Sequence, residues 1–314
     1  MRKNIWRKIF LLIIIGVMIV PCVQSMGKTP MPNQYTLSTT WTVDDEGDGD
    51  FTIIQDAIDA ATDGDIIEVY SGTYYEHVII GKELEVLGID AELGSGSDTG
   101  KPVVDGSGVG DVVAILKEPG GLHENAEFSG FIVQNSGSSN NRGVYVYWMS
   151  VFIIRDNDIL DNSIGIFVER SDRGQITRNT VTNNKWGIIF ESADHNTINE
   201  NVIEDNYEYG MKLDKSPYNA VNLNVFRNHL TTDSVGLSCV GGAKRNDIRQ
   251  NDFINNHKHA YFANTFNTWN DNYWDNRILP IYFIWGELFS SLFQWLRIPF
   301  FQLDLRPSDI PHNN

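Results

Sequence analysis

Cysteine is almost absent from this chain: of 314 residues only Cys22 and Cys239 carry a thiol. Proline (10) and methionine (6) are scarce as well. Positive charge is short too, with 24 Lys and Arg against 41 Asp and Glu and a formal charge of −17. Four of those cations, Arg2, Lys3, Arg7 and Lys8, precede a short apolar run at residues 9–20, and Pro21 breaks the run. With Val23-Gln24-Ser25 at a cleavage position, this reads as a secretory signal over residues 1–25; an uncleaved anchor is the rival reading. Ile19-Val20-Pro21 is no lipobox for Cys22. The run is shorter than the roughly 20 apolar residues of a membrane span.

Each shortage excludes something. One cysteine in the mature chain means no intrachain disulfide framework. Loss of the signal takes the charge from −17 to −21, so nucleic-acid phosphates and anionic lipid headgroups are poor partners. Despite abundant asparagine there is no Asn-x-Ser/Thr acceptor, so ordinary N-glycosylation is not expected.

What the chain does have is a repeat. Asn135, Asn157, Asn179, Asn201, Asn224 and Asn251 recur about every 22 residues. Ile132, Ile154, Ile176, Ile198, Val221 and Ile248 stand three residues before them, and Ile159, Val181, Ile203, Phe226 and Phe253 two after. A second polar column follows at Asn140, Asn162, Asn184, Asn206, His229 and Asn256. Gly143, Gly165, Gly187, Gly210 and Gly236 then open short alternating runs. A fixed period of this length marks a solenoid. The aliphatic columns are expected to stack inside, and the asparagines to sit at left-handed turns and bond from coil to coil.

Before the repeat, residues 26–40 read as a linker and Trp41-Thr42-Val43 as a strand. The acidic segment from Asp44 to Asp50 can ligate calcium through oxygen. Its spacing departs from the EF-hand loop, so a surface turn is the first expectation. Thr52 and Gln55 fit a capping box opening a short amphipathic helix at residues 53–61, which Gly64 ends. Strands are expected at residues 65–70, 78–80, 84–87, 103–104 and 112–116.

The segment Phe51-Thr52-Ile53-Ile54-Gln55-Asp56-Ala57-Ile58, with Gly64-Asp65-Ile66-Ile67-Glu68-Val69 and Gly72-Thr73-Tyr74-Tyr75-Glu76, resembles the N-terminal signature of pectin-lyase-like β-helix proteins. The Asn-rich coils resemble the NosD-type, or CASH (carbohydrate-binding and sugar hydrolysis), β-helix. The resemblance runs from about Trp41 to Trp274. It implies an all-β, right-handed parallel β-helix over residues 41–276, with a short N-terminal capping helix and an apolar, amphipathic segment at residues 277–314. It also implies a secreted or cell-surface protein. Lyases, hydrolases, epimerases, binding proteins and metal-maturation factors share this fold, so activity does not follow from it.

Strand alternation turns register into a map of faces. Ile166, Val168, Ile188, Phe190, Met211 and Leu213 should point inward. Tyr145, Phe167, Ile189 and Lys212 form one outward column, and Tyr147, Glu169, Glu191 and Asp214 the next. Aromatic rings suit the apolar face of a sugar and carboxylates its hydroxyls. Tyr145, Tyr147, Phe167, Glu169, Glu191, Lys212 and Asp214 are therefore the candidate ligand-binding residues, for a polysaccharide or surface glycan. Glu169, Glu191 and Asp214 are also candidate acid, base or nucleophile groups of a lyase or glycoside hydrolase. A structural or adhesin-like envelope protein is the third reading.

The polygalacturonase Gly-His-Gly and Arg-x-Lys motifs and the epimerase Asp-Pro-His-Asp motif are missing; only Asp194-His195 remains of the last. That leans the balance away from an enzyme. Methionines are scattered, and His257-x-His259 is the only close histidine pair, so copper handling finds no soft-ligand cluster. No cofactor is predicted, with calcium left open, and a monomer is expected. At the C-terminal end, Ile284, Trp285, Leu288, Phe289, Leu292, Phe293 and Leu296 line one face of a helix at residues 278–301. That helix should cap the last coil; contact with a membrane interface is the alternative.

Overall fold

A computed structural model describes residues 38–116, 124–289 and 297–313. Residues 1–25, the expected signal, lie outside them. The described chain forms a right-handed parallel β-solenoid of about 10 turns with about 23 residues per turn. Each regular coil supplies three short strands, as in Arg142–Tyr147, Ser150–Arg155 and Asp158–Leu160. Each strand pairs in parallel with its counterpart one coil on, so Tyr145 lies beside Phe167 and Ile159 beside Val181. One helix, Ile54–Ala60, covers the N-terminal end.

The core is the stack of inward columns. Ile166, Ile188, Met211 and Leu237 form one, and Val168, Phe190, Leu213 and Cys239 the next, all fully buried. Ile154, Ile176, Ile198, Val221 and Ile248 line the second wall; Val133, Ile159, Val181, Ile203, Phe226 and Phe253 line the third. Burying each such side chain contributes about 1.5–3 kcal/mol. The glycine ahead of each long strand is required by close approach. A Cβ on Gly187 would lie 2.3 Å from the Gly210 carbonyl oxygen in the next coil.

Asn135 and Asn140 of the first copy are exposed, whereas Asn157, Asn179, Asn201, Asn224 and Asn251 are fully buried. Each side-chain oxygen accepts from both the backbone N–H and the amide of the asparagine one coil earlier. The distances are 3.0 and 3.0 Å from Asn179 to Asn201, and 3.0 and 2.9 Å from Asn201 to Asn224. The left-handed conformation falls one residue earlier, on Asp156, Arg178, Glu200, Leu223 and Gln250. The turn is made there so that the next side chain can point inward along the stack. A third ladder, Asn196, Asn219, Asn246 and Asn267, runs beside the two read from the sequence.

The first repeat copy is out of register with the sequence reading. Ile132 pairs with Asp158, Phe128 occupies the Ile154 column, and Ser136, not Asn140, donates to Asn162. The stretch around residues 137–140 loops out of the coil, so the 22-residue spacing from Asn135 to Asn157 is coincidental.

His229 stands in an asparagine column, with Nδ1 2.9 Å from Asn256 Oδ1. Burial pushes its pKa down to about 4, against the hydrogen bond that its ring donates to Asn256, which favours the charged form. Between about pH 6.5 and 4 the unfolded chain therefore binds a proton that the native state refuses, and stability falls as pH falls through that window. We expect His229→Asn, which restores the column's usual residue, to remove about 2 kcal/mol of the stability lost between pH 7 and 4.5. Urea unfolding at the two pH values checks this.

Two expectations at the chain ends are corrected. Thr52 does not cap the helix: Ile53 is the N-cap residue and makes no side-chain cap bond. The first free amides, Ile54 and Gln55, donate instead to the Glu76 carboxylate at 2.8 and 3.0 Å. The expected C-terminal helix is not formed by the described residues of 278–301 either; Leu292, Phe293 and Leu296 lie outside them. Tyr282–Phe289 and Arg297–Asp304 make an antiparallel pair of strands. The alternation explains it: Ile284 is buried and Trp285 is exposed, a two-residue period that the helical face of Glu287 and Arg297 concealed. The pair still closes the solenoid. Tyr282 stacks on Trp274, Asp304 accepts from Asn272, and Gln302 accepts from Asn267. The pair leaves Trp285, Ile298, Phe300 and Phe301 exposed. Among the described residues no helix is long and apolar enough to cross a membrane.

Candidate functional site

The outward columns stand in the register expected. Tyr145, Phe167, Ile189 and Lys212 are successive partners across four coils, and so are Tyr147, Glu169, Glu191 and Asp214. Strand spacing sets the step at about 4.8 Å. The two columns do not form a flat face. Phe167, Glu169, Ile189, Glu191, Lys212 and Asp214 line a groove of about 410 Å³, closed on its other side by Arg142, Ile164 and Trp186.

Phe167 and Ile189 form its apolar floor. They are only 8% and 5% exposed, because Tyr145, Ile164 and Trp186 pack around them in a small cluster outside the main core. Phe167 thus offers no open ring face. The aromatic surface is carried by its neighbours: Tyr145 stacks on Phe167 at 5.7 Å, Tyr147 on Tyr145 at 5.8 Å, and the exposed Trp148 on Tyr147 at 5.9 Å. The Arg142 guanidinium lies 4.1 Å above the Tyr145 ring while paired with Asp111 at 3.0 Å.

Each carboxylate of the ladder has a cation nearby: Arg170 at 3.8 Å from Glu169, Lys215 at 3.9 Å from Glu191 and Lys212 at 3.4 Å from Asp214. Glu169 also accepts from the Tyr145 hydroxyl at 2.8 Å. Burial, then this bond, pushes the Tyr145 pKa up, so the phenol stays protonated and holds the carboxylate in place. Oriented acceptors of this kind suit hydroxyl donors of a ligand.

Sequence reasoning missed the column Arg142, Ile164, Trp186 and Tyr209. Strict alternation assigns the residue before each glycine to the interior. At the glycine the alternation breaks: Ile164 pairs with Trp186 and Ile166 with Ile188, with Gly165 and Gly187 between them. A large residue directly before the glycine was the available signal. From Trp186 the surface continues through ring contact with Tyr209 at 6.3 Å and an indole bond to Glu208. There a second recess of about 550 Å³ opens between Tyr207, Tyr209 and the loop Leu230 to Asp233.

The residues present do not fit copper. Among the described residues, the groups of three or more His, Cys, Asp or Glu side chains able to share an ion contain only carboxylates. Cys239 is buried in the core, where desolvation pushes its thiol up to about 12. His259 is likewise buried, with Nε2 2.8 Å from Asp275.

Comparison with known proteins agrees with the fold. Residues 132–278 match the family model described as "Periplasmic copper-binding protein (NosD)". The chain resembles the crystal structure of pectate lyase Pel9A at 14% identity and a TM-score of 0.50, over 71% of this chain and 66% of that one. It also resembles a mutant of the periplasmic alginate epimerase AlgG at 17% identity and a TM-score of 0.44, over 73% of this chain and 64% of that one. A third likeness is to an alginate lyase from Paenibacillus sp. str. FPU-7, at 13% identity and a TM-score of 0.45, over 74% of this chain and 95% of that one. The chain spans just under two thirds of the lyase Pel9A and of the epimerase. No curated protein matches. The likeness to Pel9A shows the fold, a parallel β-helix, and the match to the NosD model falls on its regular coils.

Proposed function

We propose that this protein acts outside the cytoplasm by binding a polysaccharide or surface glycan in the groove along its long-strand wall. The observation that carries the reading is the juxtaposition of Trp186 in the groove and Tyr145 and Tyr147 beside it with the carboxylates of Glu169, Glu191 and Asp214, which recur one step per coil. A repeating groove suits a repeating ligand. The rings supply apolar contact to sugar faces, and the carboxylates accept from hydroxyls. The description of the family model as periplasmic supports the location, and the lyase Pel9A supports a glycan as the class of ligand. Acidic rims in a chain of net charge −17 favour a neutral glycan over a polyuronate.

Binding is preferred to turnover because each ladder carboxylate has its own cation within 4.0 Å. We expect the double variant Tyr147→Ala, Trp186→Ala to weaken binding to neutral polysaccharide at least about tenfold, the loss of roughly 1.4 kcal/mol of stacking contact. Tyr75→Ala, an exposed ring at the N-terminal end, should leave it unchanged. Isothermal titration against a neutral glucan and polygalacturonate checks both claims. Unaltered affinity in the double variant would move the site elsewhere, and release of reducing ends would make the protein an enzyme, a lyase where unsaturated uronate appears with them and a hydrolase where it does not.

A further inference from the structure

The acidic turn at residues 44–50 does not project freely into solvent. A loop at residues 89–100 folds across it, pinned by Ser95, whose N–H and hydroxyl both donate to Asp48 Oδ2 at 2.7 Å. This brings Glu92 and Asp98 against the turn. One oxygen from each of Asp44, Glu46 and Glu92 lies within 4.8 Å of the others, and Asp45, Glu46 and Asp98 meet the same limit.

Two observations separate this cluster from an ordinary acidic surface. Asp44 is fully buried, and its Oδ2 accepts from the Asp48 N–H at 2.9 Å, yet its Oδ1 has no donor among the described residues. Glu92 Oε1 is buried and equally without a donor. A buried acceptor left unmatched is costly, and a charged one more so. Moreover, no Lys or Arg among the described residues forms an ion pair with Asp44, Asp45, Glu46, Glu92 or Asp98.

We propose that Asp44, Glu46 and Glu92 bind a calcium ion, with Asp45 and Asp98 beside it, and that the ion clamps the loop at residues 89–100 onto the first coil. Among the hard cations calcium suits such a set best: it accepts several carboxylates in a flexible oxygen cage, whereas magnesium demands a near-ideal octahedron and keeps much of its water. With no nitrogen or sulfur donor, the cluster does not suit copper. Backbone carbonyls and water would complete the six to eight ligands calcium takes.

Calorimetric titration of the purified, chelator-treated protein with CaCl2 and, separately, MgCl2 and CuCl2 tests this. The expected result is one calcium bound with Kd on the order of 10⁻⁴ M, the range of extracellular modules, and at least tenfold weaker magnesium. At hundredfold excess over Kd, calcium should raise Tm by about 5 °C. Glu46→Gln and Asp44→Asn should each weaken calcium at least tenfold. Glu46 is exposed, so its variant should keep the wild-type circular dichroism without calcium and decides the matter if Asp44→Asn fails to fold. No calcium heat, equal affinity for magnesium, or unchanged affinity in Glu46→Gln would overturn the assignment, as would copper displacing calcium from the cluster.

Discussion

Replacing Asn201 by alanine should lower the unfolding free energy by about 4 kcal/mol, at the extreme of single substitutions. Its side-chain oxygen accepts from the N–H and amide of Asn179. Its amide donates to the carbonyls of Ile176 and Asn199 and to the Asn224 oxygen. The site is fully buried, so water does not replace what is lost. Several groups are orphaned at once, each costing about 1–3 kcal/mol. Asn201→Asp separates charge from shape: it keeps the acceptor but buries a carboxylate with no cation. Burial disfavours the charged form and raises its pKa, so this variant should regain stability as pH falls, which the alanine variant should not. Thr197→Ala, on the exposed side of the same coil, should stay within about 0.5 kcal/mol of wild type. Urea unfolding at pH 7 and pH 5 gives all three values.

The second large effect is expected at Trp274. Its ring lies between Phe253 at 4.3 Å and Tyr282 at 4.1 Å, continuing a stack that begins at Phe226. Its indole N–H donates to Asp304 at 3.2 Å. Trp274→Ala should cost about 4 kcal/mol, as large-to-small changes in well-packed cores do. Trp274→Phe keeps the stack and loses the bond to Asp304, and should cost about 1.5 kcal/mol. Because a solenoid coil touches only its neighbours, the damage should be local. Hydrogen exchange in the alanine variant should quicken first in residues 252–289 and leave the coils before residue 200 protected. Uniform loss of protection along the chain would contradict this.

The fold was largely legible because the repeat fixes register, and register fixes which way every strand residue points. Ile166, Val168, Ile188, Phe190, Met211 and Leu213 are all buried as expected. The outward neighbours Tyr145, Phe167, Glu169 and Glu191 stand in the expected columns. Where the backbone departs from plain alternation, the reading failed. The loop near residues 137–140 shifted the first copy, and the glycine step concealed Trp186 and Tyr209. The Tyr282–Phe289 and Arg297–Asp304 pair looked helical because aromatic runs fit either period when short. The groove was half legible: its acidic rim and floor follow from alternation, but its far wall does not. Contact across the chain was least visible, since nothing local in the sequence brings Glu92 to Asp44.

The asparagine ladder carries a direction. Each member hands its hydrogens to the oxygen of the next coil and never receives them back, so a coil has a donating head and an accepting tail, like a monomer in a head-to-tail polymer. Any number of such units can be joined, and every joint is the same. Only the last unit differs, because its hydrogens need a recipient that asks for nothing further. Asp304, an acceptor with no hydrogens of its own to place, takes the amide and N–H of Asn272 and ends the chain reaction. Growth or shortening of this protein by whole coils leaves that chemistry intact, and so do residues looped out between ladder positions, as in the 27-residue step from Asn224 to Asn251.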